Sequence, residues 1–202
     1  MVHHSWECLK EILVGDWTDG ILCSIGMPVI NGSEYVHFGY GYMKFNDNVR
    51  VAAEVCEELF VPVPPHTELS LNCVQVFMNA SKSHHQLRKL DIRLSAFRTI
   101  CHRLILVDEC CCVVINEDVV AKGSQFFVKD VEVVVAQVDL DTVDSLRGSI
   151  SSFQEQASAA AVVPLVRVQY NLCRSFKHQM PLSSPLKITY HSPEQEITYG
   201  PG

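Results

Sequence analysis

The sequence predicts an α/β (α+β) domain. Three observations carry that reading: short apolar runs bounded by turn residues, one stretch with a helical period of apolar side chains, and two valine runs that flank a turn as a hairpin would. At 202 residues the chain is long enough for one domain with a real core, or for a domain and a tail. Charged residues make up only 19%, below the roughly 25% usual in soluble domains, so much buried sheet or a partner-covered surface is expected.

The expected strands come in order. Residues 21–30 are apolar and lie between Asp19-Gly20 and Asn31-Gly32. Residues 38–45 are aromatic-rich and run into Asn46-Asp47-Asn48, a turn composition. Residues 51–55 are apolar with one acid, and 74–78 form a short strand that ends at Asn79. Residues 111–115 and 119–121 flank Asn116-Glu117-Asp118 as a hairpin. The valine-rich stretch 131–140 fits a buried strand.

Two helices are expected. Leu87, Leu90, Leu94, Phe97 and Cys101 recur at steps of three and four and share one face, with Arg88, Arg93, Arg98 and Arg103 on a solvated flank. The second helix starts near Asp141, read as its N-cap, has Asp144 in its first turn, and runs to about Gln156. Gly148 weakens it by about 1 kcal/mol relative to alanine. Residues 183–202 read as a linker or tail.

Composition excludes several function classes. A net charge of -7 speaks against nucleic-acid binding, which needs a basic face. The nine cysteines are odd in number and include the run 110–112, so they do not form a disulfide framework. Thiols in a reducing, cytoplasmic setting fit better. No CxxC spacing suggests zinc, and His84-His85 diverge by about 100° on a helix, so no metal site is expected. No run approaches the ~20 apolar residues of a membrane span.

The most informative segment is Val51-Ala52-Ala53-Glu54-Val55-Cys56-Glu57-Glu58-Leu59-Phe60. A strand stops at a cysteine, and two acids and Pro62, Pro64 and Pro65 follow. A nucleophile placed where a strand breaks off is exposed yet rigidly held. On spacing alone the bland reading, a small core cysteine, is the commoner one. Glu57 and Glu58 oppose thiolate formation by like-charge repulsion, so a working nucleophile here calls for a nearby cation or a dedicated base.

The segment 53–60, together with Val76-Phe77-Met78-Asn79-Ala80-Ser81 and Ser83-His84-His85-Gln86-Leu87-Arg88-Lys89-Leu90, resembles the glutaminase domain of eukaryotic, plant-like glutamine-dependent NAD synthetases. Further matches are Gly123-Ser124-Gln125-Phe126, Asp130-Val131-Glu132-Val133, Ile150-Ser151-Ser152 and Tyr190-His191-Ser192-Pro193-Glu194. They run in family order across most of residues 6–200.

The resemblance implies an incomplete nitrilase-like αββα sandwich (a CN-hydrolase fold) over residues 1–182, with the extended tail 183–202 leading toward a synthetase domain. It implies a Glu-Lys-Cys triad. Cys attacks the glutamine amide, Glu serves as general base and acid, and Lys stabilises the oxyanion. Cys56 matches the nucleophile. Glu57 is placed beside the pocket, Ser83 in the segment that holds glutamine, and Arg88 or Lys89 against the substrate carboxylate. ATP, Mg2+ and deamido-NAD belong to the family's synthetase domain, so this chain is expected to hold no cofactor. Glutamine is its expected partner, and a homo-oligomer its expected assembly.

The sequence departs from the family pattern in four places. Lys82 stands where glycine is expected. The family's catalytic Glu lies in a segment upstream of the matches, with no counterpart here. Its catalytic Lys should fall between Ile30 and Phe38, but residues 31–37 hold no lysine, and the nearby Lys44 lies in a different matched segment. A Gly- and Tyr-rich pocket segment expected after the first helix is also missing. Impaired or absent activity is therefore expected. The rivals are a non-catalytic truncated isoform or interaction fragment, and an amidase of the wider nitrilase superfamily.

Overall fold

Valine and other β-formers at 42–55, joined by an Asn-Asp-Asn turn, fold as the antiparallel pair β1 (Tyr42–Phe45) and β2 (Arg50–Val55) in the computed structural model of the protein. The turn expected there forms, with Asn48 at φ +66, a left-handed conformation that asparagine tolerates. The structure describes residues 2–15, 22, 39–80, 87–99, 104–107, 112–126, 132–173 and 181–199. They fall into two units, residues 1–39 and 40–202. The first carries helix α1 (Val2–Val14), and the strand expected at 21–30 lies outside the described residues except for Leu22.

In the second unit, two crossovers build the part that matters for function. β2 leads through a short 3-10 helix (Cys56–Phe60) and α2 (Pro65–Leu71) into β3 (Val76–Ala80), which pairs parallel to β2. β3 leads through α3 (Lys89–Thr99) into β4 (Leu104–Val107), parallel again. Parallel neighbours require such crossovers, and they bring the C-terminal ends of β2, β3 and β4 to one edge of the sheet. The expected hairpin then forms from β5 (Cys112–Ile115) and β6 (Asp118–Lys122). Asn116 and Glu117 both have positive φ, as a two-residue primed turn demands. With β7 (Leu165–Val168) the strands of the described residues form one sheet, ordered β6-β5-β4-β3-β2-β1-β7. The α/β class expected from the sequence is what the structure shows.

One face of this sheet makes the core. Tyr42, Ala52, Phe77, Cys112, Val114 and Val119 pack with Leu69 of α2 and with Leu90 and Leu94 of α3. Leu90 and Leu94 are thus on the buried face that their spacing predicts, whereas Leu87 is exposed. Cys112 is a core residue, 1% exposed.

Two expectations need correction. Residues 132–139 form no strand: Val133 and Val135 are 78% and 80% exposed, and the segment is tied to residue 183 rather than to a ladder. Valine content favours extended backbone, but a strand also needs a neighbour. The single helix expected at 141–156 is two, α4 (Asp141–Gly148) and α5 (Ser151–Ala159), which break just after Gly148. The cap is not Asp141, which lies inside the helix; Asp139 Oδ1 instead accepts from the Asp141 N–H at 3.0 Å. Residues 183–199, read as linker or tail, run extended and then form α6 (Pro193–Tyr199). The extended part bonds to β6 through Leu186 N–H and Val119 C=O, and Ile188 packs on the core.

α4 is fixed to the sheet by Arg147, 5% exposed, whose Nη2 donates to the Val74 carbonyl at 2.6 Å with the guanidinium over the Phe153 ring. Burial pulls the guanidinium down to about 10, with Asp144 opposing, so it is still charged at neutral pH. Arg147→Ala is expected to cost about 2–3 kcal/mol in urea unfolding, the range for a charge-assisted hydrogen bond whose acceptor is left buried. A loss below about 0.5 kcal/mol would contradict this anchoring role.

Candidate active site

β2 stops where its backbone turns left-handed: Cys56 has φ +41 and opens the 3-10 helix. For a residue with a Cβ that conformation costs about 1–2 kcal/mol, so the surrounding structure must impose it. Two features do. The Glu58 carboxylate turns back and accepts the Val55 N–H at 2.7 Å, and Leu59 is buried in the core and anchors the far end of the turn. The thiol-bearing residue is half-buried at the sheet edge where β2 and β3 both end. This is the strand-to-turn geometry that exposes a nucleophile while holding it rigidly.

Two residues before Cys56, Glu54 belongs to a buried polar layer that sequence reasoning missed. Glu54 is 1% exposed, and its Oε1 lies 2.7 Å from Nδ1 of His66, also 1% exposed, at the start of α2. The His66 ring stands edge-on to Phe77, with centroids 6.3 Å apart. Asn79, opposite Glu54 in the β2–β3 ladder, is 2% exposed and has no hydrogen-bond partner for either amide atom. Beside this layer Tyr40 donates to Glu68 Oε2 at 2.8 Å. Burial first, then Glu68, then the charges of Glu54 and Glu58, push the Tyr40 phenol well above its usual range. The carboxylates Glu54, Glu58 and Glu68 therefore all bear on one neighbourhood.

The other expected site residues distribute as follows. Glu57 follows Cys56 and is exposed. Ser83 and Lys82 lie outside the described residues, as do His84 and His85. Arg88 is exposed with φ +63, and Lys89 is half-buried as the first residue of α3. β3, which precedes them in the chain, ends level with β2, with Ala80 in register with Val55. Arg88 also lines a cavity of about 310 Å³ with Leu90, Asp91, Tyr190, His191 and Glu196. Lys44 sits in β1 in register with Arg50, six residues before Cys56. At ~3.3 Å per residue that is about 20 Å along the strand, beyond a lysine's reach to Cys56. Among the described residues no group of three or more His, Cys, Asp or Glu side chains converges as a metal site. No helix among them is long and apolar enough to cross a membrane.

No family model matches the chain. Individual proteins do. A glutamine-dependent NAD(+) synthetase of Arabidopsis thaliana is 48% identical over 275 aligned positions, covering 99% of this chain and 38% of that protein. One of Oryza sativa subsp. indica is 41% identical, covering 98% and 37%. One of Saccharomyces cerevisiae is 36% identical, covering 98% and 39%. The chain thus spans well under half the length of these relatives. An alignment of 275 positions against a chain of 202 residues also leaves at least 73 positions, the difference, with no residue of this chain. Segments within the matched stretch of the relatives are therefore absent here.

Proposed function

The chain belongs to the glutamine-dependent NAD(+) synthetase family, and on that premise we propose that its share of the chemistry is hydrolysis of the glutamine side-chain amide, with Cys56 as nucleophile. The observation that carries this reading is the left-handed backbone of Cys56 at the shared end of β2 and β3. In the proposed reaction the Cys56 sulfur attacks the amide carbon and a glutamyl thioester forms. The C–N bond breaks, and ammonia leaves with the thiol proton. Water then adds to the thioester, releasing glutamate and restoring the thiol. Arg88 and Lys89 are the groups proposed to meet the substrate carboxylate, with Ser83 and Glu57 beside it.

We propose further that the chain is impaired. Residues 31–37, where the family lysine is expected, hold none, and Lys44 is too distant. Losing one oxyanion donor costs about 100- to 1,000-fold in rate. ATP, Mg2+ and deamido-NAD, which the resemblance implies for the family, are not assigned to residues of this chain. Their chemistry is assigned to the remainder of the family architecture. The proposed setting is the cytoplasm, with association as a homo-oligomer.

The test is release of glutamate and ammonia from glutamine by the chain and by Cys56→Ala. The expected turnover is at most marginally above the variant. Robust turnover that Cys56→Ala abolishes would show that other residues supply the base and the oxyanion donor. Robust turnover retained by Cys56→Ala would refute the assignment of the nucleophile.

A further inference from the structure

α6 reaches back to the start of α3 through a single buried carboxylate. Glu196 is 3% exposed. Its Oε2 accepts the Arg88 backbone N–H at 2.9 Å, across 108 residues of sequence, and its Oε1 accepts from Gln125 Nε2 at 3.1 Å. Arg88 is the residue whose backbone is left-handed, φ +63, and its carbonyl receives the Ile92 N–H, so it caps the 11-residue α3. A buried anion at that place favours the helix N-terminus and offsets the strain of the left-handed residue. α6 itself is held by an aromatic cluster: Phe126, His191 and Tyr199 meet pairwise with centroids 5.3, 5.7 and 6.0 Å apart.

We propose that Glu196 is a positioning residue for glutamine recognition: by holding the Arg88 backbone it fixes where Arg88 and Lys89 stand at the start of α3. This rests on the assignment of Arg88 and Lys89 to the substrate carboxylate. Nothing local in the sequence prepares this contact, because Glu196 lies in a segment that reads as a tail. Its neighbour Gln125 has a buried Oε1 with no partner, so the amide can turn over if the group facing it becomes a donor.

The test uses the full chain and a diazoketone analogue of glutamine that alkylates a thiol, read as the saturation constant and limiting rate of Cys56 labelling. Iodoacetamide labelling of Cys56 is the pocket-independent control. Glu196→Ala is expected to raise the analogue's saturation constant about tenfold or more, the effect of one lost charge-assisted hydrogen bond, and to leave iodoacetamide labelling unchanged. Glu196→Gln is expected to restore most of the loss, since its Oε1 still accepts from Arg88 and Gln125 can turn over. Should Glu196→Ala not fold, Glu196→Asp, which draws the carboxylate back by one methylene, is read in the same way. An unchanged saturation constant overturns the proposal, and so does an equal fall in both labelling reactions. If the analogue labels no wild-type Cys56, the glutamine reading itself fails. Hydrogen exchange at residues 88–92 then decides: selective acceleration in the variant, with β3 still protected, upholds the hold on Arg88, and no change refutes it.

Discussion

His66→Leu is expected to destabilise the protein by about 3–5 kcal/mol, a large part of the stability of a domain this size. The reason is the position of Glu54. At 1% exposure its carboxyl has His66 Nδ1 at 2.7 Å, and removing the imidazole leaves the acid in the core with that contact gone. Glu54→Leu should cost a similar amount by taking the carboxylate contact from the buried His66. The double variant should recover most of either loss, because replacing both members of a buried pair with apolar side chains of similar volume removes the desolvation cost along with the attraction. Urea unfolding of the four proteins gives the coupling directly. Additive losses would show that the two side chains stabilise the fold independently, and the buried polar layer would then be ordinary packing.

Cys56→Gly is expected to separate chemistry from stability. All thiol-dependent reaction with glutamine or its analogues should disappear, while the fold is unharmed or gains up to about 1 kcal/mol. Glycine adopts φ +41 without the penalty of a Cβ, so the strain now carried at this position is released. Cys56→Ala removes the sulfur but keeps the strain, and should show the chemical loss without the gain. Strain maintained at one residue and removable only with loss of function is the pattern expected of a functional site. If Cys56→Gly is clearly less stable than Cys56→Ala, the left-handed backbone at Cys56 is not strained and does not mark a nucleophile.

Local chemistry made much of this molecule legible in the sequence. The Asn46-Asp47-Asn48 turn, the Asn116-Glu117 hairpin and the core face of α3 through Leu90 and Leu94 each depend on residues a few positions apart. The strand break at Cys56 was visible for the same reason, since an apolar run gives way to acids and prolines within a few residues. What failed depends on distant partners. The valines at 133 and 135 look like strand residues until one knows that none of the described strands pairs with them. Glu54 in a strand looks like a solvent-facing acid, and only the β2–α2–β3 crossover brings His66 over it. Gly148 signalled weakness in a helix but not that the chain would start a second helix at Ser151. Glu196 carries no signal at all, because its partner is 108 residues away.

The most direct measurement is site-resolved alkylation by iodoacetamide with and without saturating glutamine, read by peptide mass mapping. Cys8, Cys73 and Cys173 are exposed internal controls, the last with a thiol pushed up by partial burial and by Asp47. If Cys56 stands at the sheet edge as an attacking group beside a glutamine site, glutamine will slow its alkylation several-fold and leave the three controls unchanged. Alkylation of Cys56 that glutamine does not alter, in a protein that melts cooperatively, would contradict that placement.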